Sequence, residues 1–374
     1  MVEFAETKKN MNTKNELDEI DDGIAKLFRR RMELSNLPAD PERERAALSR
    51  AVEIAGEENV RDVKMLFDTL SGLSAARRRL ESRGECKLTD AIAGAASKAS
   101  ALPAKTLVAC QGADGSYSQQ AASAMFQAPT IVFMRDFESV FEIVEKGMCP
   151  YGILPIENST AGSVPKIYDL MVKHNFHIAR SVRVKIDHVL LGRRGATLSD
   201  IREIASHPHA LAQCNAFLKS HADIKTLPAE NTATAAKQLA VDGPANKAVI
   251  ASRACADIYD LDILADGIAD NAYNFTRFIC IARELQITPD ASKFGIMLTL
   301  PHRPGSLNAI ISKFATAGVN LTKLESRPIP GMDFEFLFTF EFESRPTNPA
   351  VLAILAELSR NPEIERFSFL GAYA

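Results

Sequence analysis

The sequence predicts a multidomain chain: an all-α segment first, an α/β unit in the middle, and an α+β unit of ferredoxin-like order at the end. Three observations carry this. Leu17, Ile20, Ile24, Leu27 and Leu34 recur at helical steps, as the seam of a bundle helix does. From Thr106, short apolar runs (TLVAC, TIVFM, YGILPI, DHVLLG, EIASH, KAVIAS, FICIA) alternate with helical stretches, the pattern of strands buried on both faces. From Phe294, strand and helix patterns follow one another as βαββαβ.

With 374 residues the chain exceeds one ordinary core, and 46% hydrophobic with 24% charged residues describe a soluble globular protein. A net charge of −3 gives no reason to expect nucleic acid or a membrane as partner. The N-terminal stretch lacks an apolar core segment, so neither a signal peptide nor an anchor is expected there, and no run approaches a membrane span. Six scattered cysteines read as buried free thiols in a reducing cytoplasm. His207-Pro208-His209 has no Cys/His cluster beside it, so no metal site is expected, and the sequons at Asn158, Asn274 and Asn320 mean little without a secretory signal.

Taking the elements in order, residues 1–12 are polar and expected to be loose. The first helix pattern stops at Leu34–Pro38, and Arg31 on its seam needs an anion. Asp40 with Pro41 caps and opens a second helix; Val63, Leu66, Leu70, Leu73 and Leu80 mark a third, with Ser74, Arg77 and Arg78 near its seam. LDEIDDGIAKLFRRRMELS leading into PADPERE resembles the all-helical chorismate mutases over residues 13–82. The resemblance implies a bundle gripping a dicarboxylate, with Lys14, Arg31, Asp40, Arg43, Glu44 and Ser74 at family binding or catalytic positions. In that family the first helix runs further and supplies a lysine to the substrate's ether oxygen. No lysine occurs here between Lys26 and Lys64, Lys14 replaces an arginine and Arg78 a glutamine, so weak or absent mutase activity is expected.

Residues 83–104, rich in Ala and Ser, read as a linker that is helical in part. In the α/β unit, polar clusters follow strand ends, where ligand sites of such folds gather. Gly112–Ser118 follows the first strand and opens a helix, so its backbone N–H groups could cradle an anion. YGILPIENSTAGSV delivers Glu157, Asn158, Ser159 and Thr160 together. Ser206 to Gln213 and Asn231-Thr232 add two more clusters. Thr276 and Arg277 set a hydroxyl donor beside a cation at the mouth of FICIA; taken alone, Thr-Arg-Phe could merely open a strand.

GADGSYSQQAA, GILPIENSTAGSV, SHPHALAQC, NTATAA and NFTRF, in that order, resemble the prephenate dehydratase family over residues 105–285. The resemblance implies two lobes of periplasmic-binding-protein type, 105–183 with 267–285 and 184–266, around a cleft. It assigns catalysis to Thr276, Glu157 and Asn158. Gly112, Ser116, Ser118, Ser159, Thr160, Ser206, Gln213, Thr232, Arg277 and Phe278 would bind substrate.

In residues 294–374 the run DFEFLFTFEFE places Phe334, Phe336, Phe338, Phe340 and Phe342 on one face. PGSLNAII and LESRP resemble the ACT domain of phenylalanine-regulated dehydratases. That resemblance implies a phenylalanine site at Gly305, Ser306, Leu307, Asn320, Leu321, Glu325, Ser326, Arg327 and Pro328, between subunits; a plain dimerisation sheet is the alternative. The whole implies a cytoplasmic homodimer or homotetramer. It would convert prephenate to phenylpyruvate without a cofactor, under phenylalanine control. A fully bifunctional mutase–dehydratase and an arogenate dehydratase stay open.

Overall fold

The computed structural model describes residues 2–34, 40–81, 86–329 and 335–374. The expected helix stop at Ser35–Pro38, the start of the linker, and Phe334 lie outside these residues, as does the side chain of Leu80. The first helix, α1 (Val2–Glu33), begins at the second residue, so the loose N-terminus expected from its polarity is helical. Its apolar seam finds no core: Leu17, Ile20, Ile24 and Leu34 are exposed, and Leu27 is 73% exposed. The helix α2 (Pro41–Ala55) starts where Asp40 Oδ1 accepts the Glu42 and Arg43 amides. It pairs with α3 (Val60–Glu81), which also rests on the C-terminal domain.

The expected linker contains α4 (Lys87–Ser97), and its Ile92 is fully buried in the C-terminal core. Composition hid this, because one apolar stripe on an Ala-rich helix is enough to dock it.

Two α/β lobes follow. The first contains β1 (Lys105–Gln111), α5 (Tyr117–Met125), β2 (Ala128–Met134), α6 (Phe137–Glu145) and β3 (Tyr151–Asn158). It continues with β4 (Gly162–Ser163), α7 (Pro165–His174) and β5 (His177–Lys185). The chain then builds β6 (His188–Arg193), β7 (Glu203–Ser206), α8 (Pro208–Gln213), α9 (Asn215–Ser220), β8 (Lys225–Pro228) and α10 (Thr232–Asp242) in the second lobe. That lobe ends with β9 (Lys247–Ser252), α11 (Ala254–Tyr259) and β10 (Leu261–Ala265). Finally β11 (Phe275–Ala282) returns to the first sheet, between β3 and β5. The first sheet runs β2-β1-β3-β11-β5, the second β10-β6-β9-β7-β8. Every apolar run anticipated as a strand is one, while β4, β5, β8 and β10 were not anticipated.

The C-terminal domain is β12 (Lys293–Thr299), α12 (Ser306–Thr316), β13 (Leu321–Pro328), β14 (Phe336–Glu343), α13 (Pro349–Arg360) and β15 (Phe367–Tyr373). Its antiparallel sheet has the order β13-β14-β12-β15, the split βαβ arrangement. Phe340 and Phe342 are buried under α12 and α13 with Phe294, Ile296 and Phe314. Each such side chain contributes roughly 1.5–3 kcal/mol of burial. The other sheet face is not free. Met297, Leu337, Leu370 and Tyr373 join Leu154, Ile156, Tyr168 and Ile279 of the first lobe in one core. The six cysteines are free and buried, and among the described residues no helix is long and apolar enough to cross a membrane.

Candidate functional site

Strands β3 and β11 run antiparallel and place Thr276 opposite Asn158 and Arg277 opposite Glu157. Successive side chains of a strand leave on opposite faces, so these two rungs point opposite ways. Asn158 organises the first rung. Its Oδ1 accepts the Thr160 and Ala161 amides at 2.9 and 2.8 Å, which fixes the orientation of the amide. Its Nδ2 therefore donates, to Asn274 Oδ1 at 2.7 Å and to Thr276 Oγ1 at 2.9 Å. Thr276 accepts in that bond, and its own proton is left for another acceptor. Thr276 is 8% exposed, and accepting a bond makes a hydroxyl a better donor. Asn274, buried at 2%, had not been singled out; its place in the polar approach to β11 was the available signal.

A pocket of about 240 Å³ opens beside Asn274, between the first lobe's Thr160 and Ala161 and the second lobe's His209 and Gln213, with Asp270 at its wall. Gln213 Oε1 lies 3.0 Å from His188 Nε2, whose Nδ1 is 3.2 Å from the Tyr117 hydroxyl. Burial pushes the His188 imidazole below its ordinary pKa, against the opposing pull of Gln213, so it is neutral at pH 7. The Tyr117 hydroxyl donates its one proton to Asp187 O at 2.8 Å, so it accepts from His188 Nδ1. Tyr117 lies in the GADGSYSQQAA motif without an expected role, and His188 in the apolar run DHVLLG.

Five expected site residues do something else. The Arg277 side chain points away from Thr276: Nη2 donates to Glu157 Oε2 at 3.0 Å and to Glu341 Oε1 of β14 at 2.8 Å. Lys323 Nζ adds a bond to Glu157 Oε2 at 2.7 Å. Burial raises the Glu157 carboxyl, but Lys323 and Arg277 outweigh it and hold the pKa below the usual range. Glu157 is thus an ionised acceptor on the far face and cannot complete a proton relay to Thr276. Phe278 is buried in the core beneath α5. Ser206 is fully buried and donates to the Ile250 carbonyl, tying β7 to β9. Ser159 clamps the backbone, donating to Tyr273 O and accepting the Phe275 amide.

The Gly112–Ser118 loop also differs from a free anion cradle. The amides of Gly112, Gly115 and Ser116 are bonded to Met134 O, Gln119 Oε1 and Ala113 O. Ser116 caps α5 and Ser118 is buried. The loop instead bridges the lobes, for Ser252 Oγ and the Tyr259 hydroxyl donate to Gly115 O and Asp114 O. Thr232 opens α10 after its Asn231 cap.

The family model for prephenate dehydratase matches residues 108–286. A protein named arogenate dehydratase/prephenate dehydratase 2, chloroplastic, of Arabidopsis thaliana is 36% identical over 278 residues, covering 71% of this chain and 72% of that protein. The chain belongs to the prephenate dehydratase family. Among solved structures, the prephenate dehydratase of Arthrobacter aurescens in complex with L-Phe is 32% identical with a TM-score of 0.65, covering 72% of this chain and 90% of that one. A chain described as GqqA, a novel type of quorum quenching acylase, is 29% identical with a TM-score of 0.63, covering 71% and 97%.

In this member of the prephenate dehydratase family, the expected regulatory residues split into two groups. Gly305, at φ +89°, turns the chain into α12, and Ser306 and Leu307 line a cavity of about 340 Å³ with Phe336 and Phe338. A second cavity of about 390 Å³ lies across the same turn, and among the described residues Ser306 Oγ is buried without a hydrogen-bond partner. Glu325 and Arg327 point elsewhere: Glu325 accepts from Ser163 at 2.5 Å, and Arg327 donates to Pro165 O and pairs with Asp169. Asn320 bonds Glu343 and does not line either cavity. Ser326, Pro328 and Leu321 alternate along β13, with Ser326 and Pro328 on its exposed side.

The mutase-like residues are not brought together within one chain. Lys14 and Arg31 lie on one helix, roughly 25 Å apart at the standard rise. Asp40 is occupied as the α2 cap, Arg43 is exposed, and Ser74 Oγ bonds Leu70 O inside α3. Among the described residues, Arg31 Nε is buried without a hydrogen-bond partner.

Proposed function

We propose that this chain dehydrates and decarboxylates prephenate to phenylpyruvate. The observation that carries the reading is the Asn158 amide, which fixes Thr276 so that its hydroxyl proton is free for a leaving oxygen. As the ring carboxylate departs as CO2, the C–C electron pair enters the ring and the C4–O bond breaks. Thr276 donates a hydrogen bond to the departing hydroxide, and a proton reaches it through water, since a threonine hydroxyl is too weak an acid to give one up. Gln213, which lines the pocket and is held by His188 from behind, hydrogen-bonds the side chain of the substrate. Glu157 and Arg277 take no part in proton transfer.

A second reading, arogenate as substrate, is favoured by the Asp270 carboxylate at the pocket wall, whose oxygens accept the Asn215 and Ala216 amides and keep lone pairs for arogenate's ammonium. Full-length protein should be given prephenate, arogenate and chorismate in turn, with phenylpyruvate or phenylalanine followed. Failure to accelerate either dehydration would end the dehydratase reading. Chorismate turnover should be slight, because no lysine occurs between Lys26 and Lys64. The exposed seam of α1 supports a homo-oligomer in which a second copy covers it.

The C-terminal domain, as an ACT-type regulator, takes phenylalanine at the Gly305–Leu307 turn. The buried Ser306 hydroxyl and the adjoining cavities support this site. Phenylalanine should inhibit with a coupling of about 1–3 kcal/mol. Gly305→Val, which forces a β-branched residue to φ +89°, should abolish its binding in calorimetry. Unchanged binding in that variant would move the ligand elsewhere.

A further inference from the structure

The back of the catalytic strand pair carries charges that the reaction does not use. Glu157 and Arg277 adjoin Asn158 and Thr276 in the chain, and their side chains meet the C-terminal sheet. Arg277 bridges Glu157 and Glu341, while Lys323 bonds Glu157 and, at 2.9 Å, Ser163 Oγ. The side chains of Glu341, Arg277 and Lys323 are only 5%, 11% and 13% exposed. A charge cluster this deep is costly unless each member is held, and here the holding spans two domains.

The ladder itself makes this linkage consequential. Pairing of β11 with β3 is regular from Ala282 to Phe278 and then shifts between Phe278 and Arg277, where Ile156 is left unpaired. A bulge frees the local twist and re-aims the side chains beyond it. The two rungs past the bulge are Arg277–Glu157 and Thr276–Asn158. On its other edge β11 pairs regularly with β5 through these same rungs, so the β3 side, where the bulge lies, is where the grip on Arg277 and Glu157 acts on their twist.

We propose that Glu341 and Lys323 are positioning residues of the dehydratase. By holding Arg277 and Glu157 from behind, they fix the angle at which Thr276 and Asn158 meet the substrate. The C-terminal sheet is then part of the catalytic apparatus. The proposal rests on the dehydratase reading above, and it goes beyond that reading in assigning work to residues outside the cleft.

The test uses Glu341→Gln, Lys323→Met and Lys323→Arg in the full chain. The first two should lower kcat by roughly 10–100-fold with KM changed less than about threefold, as a misplaced catalytic group does. Lys323→Arg, which can still bond Glu157, should recover most of that loss. Amide exchange of the peptide around Thr276 should quicken in the first two variants and return towards wild type in the third. A contact that merely stabilises the fold would lower the melting midpoint and leave kcat of the folded enzyme and local exchange unchanged. Folded Lys323→Met with wild-type kcat, or Lys323→Arg as impaired as Lys323→Met, would overturn the proposal. Should Glu341→Gln not fold, the two Lys323 variants decide. If the wild-type chain turns over neither substrate, the dehydratase reading falls, while the exchange measurement still judges the linkage.

Discussion

Thr276→Ala should cut turnover by roughly 10²–10⁴-fold, the range for a positioned donor at a leaving group. The hydroxyl sits in a fixed network: Asn158 Nδ2 donates to it at 2.9 Å, and Asn158 is itself locked by two backbone amides. The bond Thr276 gives to the departing oxygen strengthens as negative charge builds there, so its loss falls on the transition state. KM should move far less than kcat. Thr276→Ser keeps the donor and should retain most activity. Steady-state kinetics on all three proteins check this, and an alanine variant keeping a third of wild-type kcat would remove Thr276 from the mechanism.

Much of the site was legible because its parts are local. The run that ends β3 with Asn158, and the polar approach to β11 around Asn274, had to lie at strand mouths once the apolar runs were read as strands. The adjacency of Thr276 and Arg277 misled for a reason also local: neighbours on a strand face opposite ways, so one of them had to leave the cleft. Which one left depended on Glu341, some 64 residues later in the chain, and a carboxylate in a run of phenylalanines gives no sign of its partner. By period two Glu341 falls on the face opposite the phenylalanines, and the pattern does not say what covers that face. Glu341 is 4% exposed, since the sheet's second face is covered by the first lobe.

The helical segment shows the opposite failure. Its seam was correctly periodic, yet periodicity says only that a face must be covered, not by which chain. In one chain α1 leaves Leu17, Ile20, Ile24 and Leu27 exposed. The strand β5 escaped notice because Arg180, Arg183 and Lys185 interrupt its apolar residues, as befits the sheet's edge.

Gly371→Val should undock the C-terminal domain. Gly371 lies on β15 at φ +141°, and a Cβ there would stand 2.4 Å from the Ile178 carbonyl oxygen of β5. That neighbour is backbone and cannot turn aside, so the two strands must part. They are joined on either side of the glycine. Ser181 donates its amide and its hydroxyl to Ala374 O at 2.8 and 2.9 Å, and His177 Nδ1 lies 3.1 Å from Phe369 O. Strain in the backbone and overpacking together cost roughly 2–6 kcal/mol. The first thermal transition should fall by roughly 5–15 °C. Parting β15 from β5 also draws β14 away from β11, because Tyr373, Leu370 and Met297 share the core that seats Glu341 against Arg277. Catalysis should therefore fall with docking, even at temperatures where both domains stay folded. Calorimetric scans and kcat measured well below the first transition separate the two effects. An unchanged midpoint would mean that β15 can shift along β5 without loss, and the close approach at Gly371 would then not hold the domains together.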